Sequence, residues 1–232
     1  MDDTRETVPR TSVYTWIGLF VALFGILIAR WLTGQIFQPL SVAIAAGGET
    51  LRLRFVLGES LIWLCVLALV VLVRFGEGRT LRSVHLGTAP VMKSIQWGIV
   101  IALLCAVVGA VVGMLTRFQG GELAKALMKL PFWLVFVVVL TAGVAEELFY
   151  RGYAIERLQQ LGLNRYVAGG ISLLIFGGGH APNGLANVLI ALALGFILTA
   201  VYLWRRDLVA NMLGHFLVDF VSVVLPWLAL HR

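Results

Sequence analysis

The chain has 232 residues, 60% of them hydrophobic and 13% charged, with a mean hydropathy of +0.94. That exceeds what a soluble core of this length can hide, so the composition excludes an ordinary soluble domain and points to a polytopic membrane protein. The net charge of +6 does not indicate a nucleic-acid partner, because Lys and Arg fall in short segments between apolar runs and form no continuous basic face.

In chain order, apolar stretches occupy 13–33, 55–75, 94–116, 131–153, 166–181, 184–204 and 208–230. A helix of about 20 residues crosses a hydrocarbon core about 30 Å thick, so these predict an all-α transmembrane bundle of about seven spans. The first stretch lacks a small-residue cleavage site after a short apolar core and is expected to stay as an anchor. The fifth is the most interrupted, since "LLIFGGGHAPN" closes it with three glycines, a histidine and a proline. Cys65 and Cys105 lie inside apolar runs, and no disulfide is expected.

Basic residues in the connections set the orientation. Arg30 and Arg151 are left out because they lie inside apolar segments. Arg5, Arg10, Arg74, Arg79, Arg82, Lys93, Arg157, Arg165, Arg205 and Arg206 fall on one side, and Arg52, Arg54, Arg117, Lys125, Lys129 and Arg232 on the other, so ten against six predicts a cytoplasmic N-terminus. The link 74–90 is then cytoplasmic, with a short amphipathic helix expected on the headgroups. No repeat or long linker divides the chain. Residues 1–90 read as an N-terminal helical pair with its link and 91–232 as a helical core, within one compact membrane domain.

The polar residues inside these spans carry the functional signal. In "GVAEELFYRGY", 143–153, Glu147 and Arg151 are spaced i,i+4 and pair on one face of a helix. Glu146 lies about 100° away around a regular helix and has no partner within the motif. A solvated loop would explain such a cluster, but "FWLVFVVVLTAGVA" runs straight into it and favours an embedded one. Later, Phe176 and His180, then His215 and Asp219, repeat the i,i+4 spacing. A lone histidine in an apolar helix is usually a packing residue. Two of them, one with a carboxylate a turn away, point to a joint site. Antiparallel fourth and fifth spans turning near residue 162 would bring Glu146 and His180 to within about 3 Å of the same depth. His215 joins them if the turn at 160–164 protrudes. His85 and His231 are assigned no chemistry.

"EELFYR", "FGGGH" and "HFLVD", in this order on successive apolar helices, resemble the EExxxR, FxxxH and HxxxN or HxxxD motifs of the CPBP intramembrane proteases. That family includes CaaX prenyl endopeptidases and bacterial bacteriocin-processing and immunity (Abi) proteins. The resemblance covers about residues 90–230, and Asp219 stands where many members have asparagine. It implies an intramembrane endopeptidase, in a prokaryotic plasma membrane, acting on a membrane-associated peptide or protein of prenylated CaaX or bacteriocin type.

Hydrolysing a peptide bond requires a water, a base and a group to hold the oxyanion. Glu146 is the candidate base, with His180, His215 and Asp219 completing the catalytic set and Glu147, Arg151 and Phe176 supporting it. For a metal mechanism, His180, His215 and an acid from Glu146 or Asp219 would form a three-ligand zinc site with an open position. The absence of a helical HExxH favours a metal-free mechanism, and the resemblance leaves both open. A proton-coupled transporter and a non-catalytic immunity or scaffold protein are the alternatives. The glycines at 177–179 and Pro182 predict a water-accessible hollow walled by the fourth, fifth and seventh spans and open to the cytoplasm.

Overall fold

The computed structural model describes residues 13–40, 48–118 and 120–231. Arg5, Arg10 and Arg232, used in the charge count, lie outside the described residues. The helices are α1 (Val13–Leu40), α2 (Glu49–Gly76), α3 (Val91–Thr116), α4 (Glu122–Leu127), α5 (Phe132–Gln160), α6 (Arg165–Gly178), α7 (Leu185–Arg205) and α8 (Leu208–Leu230). All but α4 and α6 are long and apolar enough to cross a membrane. Their outer faces carry Trp16, Phe20, Leu103, Val107, Leu115 and Phe196, all exposed, as lipid-facing surface requires.

The interrupted fifth span is a helix of only 14 residues. At about 1.5 Å per residue it is roughly 21 Å long, short of the hydrocarbon thickness. His180 follows its end and opens a 3₁₀ turn, Ala181–Asn183, in which proline replaces a backbone donor. Small residues let the other helices approach. A Cβ on Gly98 would sit 2.8 Å from Leu213, and one on Gly214 2.5 Å from Ile101, so α3 and α8 touch nearly backbone to backbone. Gly143 of α5 meets α8 in the same way, with a Cβ falling 2.9 Å from the Phe216 backbone nitrogen.

The 74–90 link departs from the expected amphipathic surface helix. It holds a single 3₁₀ turn, Leu81–Val84, with Val84 fully buried, and it caps one end of the bundle. Fully buried Arg157 ties it down by donating to both oxygens of Glu77, to the Ser83 carbonyl and to the Ser83 hydroxyl. Tyr153 also donates to Glu77, at 2.7 Å. Arg206 pairs with Glu156, and Tyr202 donates to the same carboxylate, so the end of α5 protrudes past the α7–α8 turn and His215 drops to the level of the motif.

A cavity of about 1160 Å³ opens at the opposite end of the bundle. Its wall includes Arg30, Gly34 and Phe37 of α1, Arg54 and Glu59 of α2, Lys129, and Gly178 and Pro182. The expected hollow therefore exists beside Gly178, Gly179 and Pro182, but α1, α2 and the α4 region supply most of its wall and α8 supplies none, since α8 packs closely on α5 at Gly143. Its mouth lies on the face away from the 74–90 link. A cytoplasmic mouth and a cytoplasmic N-terminus cannot both hold.

Candidate active site

The site is built on α5. From Ala142 to Ile155 this helix is a π-helix, bonded i→i+5, and nearly all of that segment is buried. π-segments are uncommon and concentrate at functional sites. The glycine at 143 and the small residues around it allow a widened helix to lie between α8 and α1.

Glu147 is fully buried and accepts three donors. Arg151 Nη1 lies 2.7 Å and His215 Nδ1 2.8 Å from Oε1, and Asn211 Nδ2 is 3.1 Å from Oε2. Arg151 also donates to the Gly195 carbonyl at 3.2 Å, and its guanidinium stacks 4.5 Å from the centre of the Phe176 ring. A buried ion pair must be saturated with hydrogen bonds to be tolerated, and these contacts supply them.

Phe176 is the hub of the ring packing. His180 lies 4.9 Å from its centroid, Tyr150 5.3 Å and His215 6.4 Å. His180 Nδ1 is 2.9 Å from the Phe176 carbonyl, which can only accept, so Nδ1 carries the proton. In the neutral ring Nε2 is then left as an acceptor. On His215, Glu147 takes Nδ1, and Nε2 is 3.6 Å from Asp219 Oδ2.

Glu146 points the other way. It is 4% exposed, and its Oε1 accepts from Arg30 Nη2 of α1 at 3.0 Å. It also lies within electrostatic range of His215, His180 and Arg151. The structure thus gathers Glu146, Glu147, Arg151, Phe176, His180, His215 and Asp219 around one region where α5, α6 and α8 meet. Sequence reasoning missed Arg30 and Asn211. An arginine alone in the apolar run 13–33 was the signal for the first, since an unpaired charge in a span is costly. Asn211, one turn before His215, had no comparable signal.

Zinc was the cofactor to weigh. Among the described residues, no three His, Cys, Asp or Glu side chains are grouped so as to hold a metal ion. The Nδ1 contacts of His180 and His215 leave both Nε2 atoms available, but Glu146 is committed to a guanidinium, which competes with any cation. As arranged, these residues do not fit a zinc ion.

No curated protein and no solved structure matches the chain. The EExxxR, FxxxH and HxxxD segments nevertheless fall together inside residues 127–221, which match the family model described as Rce1-like, type II CAAX prenyl endopeptidase, so that the resemblance to the CPBP proteases holds over this segment of the chain.

Proposed function

We propose that this protein is an intramembrane endopeptidase that hydrolyses a peptide bond of a membrane-associated substrate with a water activated by Glu146. The observation that carries the reading is the division of labour between adjacent carboxylates. Glu147 is saturated by Arg151, His215 and Asn211, whereas Glu146 has one ion pair among the described residues, to a guanidinium that faces the cavity.

In this mechanism Glu146 takes a proton from water while the water oxygen bonds to the carbonyl carbon. His180 Nε2 accepts a hydrogen bond from that water, with the ring held by the Phe176 carbonyl. His215, as an imidazolium held between Glu147 and Asp219, stabilises the developing oxyanion through its positive charge. The C–N bond then breaks, and Glu146 passes its proton to the leaving amine. Glu147 and Arg151 fix the frame on which these groups stand. The similarity to a prenyl endopeptidase family makes a prenylated C-terminal peptide the first substrate to try, with a bacteriocin-type leader peptide the second.

The test is turnover of such peptides by purified protein in liposomes, with and without dialysis against a strong chelator. Cleavage that survives chelation, with zinc well below one equivalent, is expected. Stoichiometric zinc that is lost in His180→Ala would replace the glutamate–water reading by a metal mechanism. Proton flux into the liposomes without cleavage would favour a transporter.

A further inference from the structure

The cavity and the reaction centre are separated. Arg30 and Glu59 line the cavity, while Glu146, His180 and His215 do not. Arg30 reaches back from the wall to Glu146, its side chain 44% exposed against 5% for the carboxylate it covers. A substrate in the cavity meets the guanidinium before it meets Glu146.

Glu59 stands beside this pair. It lies within electrostatic range of both Arg30 and Glu146, and it lines the same cavity as Arg30. Its Oε2 is buried with no hydrogen-bond partner among the described residues. A buried carboxylate oxygen without a donor calls for an explanation, and a guanidinium within electrostatic range supplies a candidate donor. Arg30 spends only Nη2 on Glu146, whereas a guanidinium has five donors in a fork suited to a second carboxylate. There is room to turn: Gly34, one turn after Arg30, has open space where a side chain would be, and Gly58, beside Glu59, has only Thr33 within contact range.

We propose that Glu59 is a second seat for the Arg30 guanidinium, so that Arg30 acts as a gate: seated on Glu146 it closes the site, and seated on Glu59 it opens Glu146 to the cavity and its water. Glu59 is in this scheme a positioning residue, and its role rests on the reading of Glu146 as the base.

The test is a double-mutant cycle on the purified full chain, read by thermal unfolding and by turnover. Glu59→Gln leaves Arg30 its seat on Glu146, and Glu146→Gln leaves it Glu59, so each alone lowers the melting temperature by no more than about 4 °C. The double variant strands the guanidinium and lowers it by clearly more than the sum. In an Arg30→Gln background that excess disappears. Additive losses would overturn the shared seat. In turnover, Glu59→Gln lowers kcat roughly tenfold at unchanged KM, and Glu59→Asp restores part of it. An unchanged kcat in Glu59→Gln, with active wild type, would also overturn it. If wild type cleaves nothing, the base reading fails, while the non-additive melting still decides whether the seat is shared.

Discussion

Glu147 and Glu146 are neighbours in sequence with opposite surroundings, and each makes its own demand on the arginine it meets. Removing Arg151 leaves Glu147 buried with only His215 and Asn211 as donors, and also takes away the contact over Phe176. Arg151→Ala should cost about 3–5 kcal/mol, seen as a lower melting temperature and lower folded yield in detergent. Melting equal to wild type with lost turnover would mean instead that Arg151 touches substrate. Arg151→Lys should rescue little, because a point charge cannot serve Glu147 and the Gly195 carbonyl together while stacking on Phe176. At this scale the sequence was informative wherever spacing within one helix decides a contact, as for Glu147 with Arg151. It was silent on contacts between distant segments: Arg30 and Glu146 are 116 positions apart, and no periodicity links them.

Helix α5 shows what local rules miss. Its apolar run and length were legible, but the π-winding over Ala142–Ile155 was not, because an apolar run of this length reads the same for i→i+4 and i→i+5 bonding. The glycines around it separate two kinds of space. Gly178 has nothing where a Cβ would be and lines the cavity, whereas at Gly143 a Cβ would fall 2.9 Å from the Phe216 backbone. Gly178→Leu should therefore reduce turnover by obstructing the cavity with little change in melting temperature. Gly143→Ala should lower the melting temperature by prising α5 from α8, since a backbone cannot yield as a flexible side chain can. Equal melting for both variants would show that the helix contact at Gly143 is looser than drawn.

At the scale of the whole molecule, composition foretold a helical membrane bundle, and the one doubtful span is the short helix α6. The cavity's position beside Gly178 and Pro182 was legible, but its walls from α1, α2 and the α4 region were not, since they depend on which helices leave a gap. Positive-inside counting with the N-terminus in the cytoplasm puts the mouth, between α1, α2 and the α4 region, on the outer face. A cysteine at Glu122, in a Cys65→Ala, Cys105→Ala background, should then react with a membrane-impermeant maleimide in intact cells, and one at Arg79 only after lysis. The reverse pattern would place the mouth in the cytoplasm and invert the orientation.

The central claim is that Glu146 activates the water that cuts the peptide. Single-turnover cleavage in ¹⁸O-labelled water, comparing wild type with Glu146→Gln in liposomes, tests it most directly. Wild type should place one ¹⁸O in the new carboxyl group, and Glu146→Gln, still folded, should be slower by a factor on the order of 10²–10⁴. Glu146→Gln turning over at the wild-type rate, or a product carrying no label, would contradict the account.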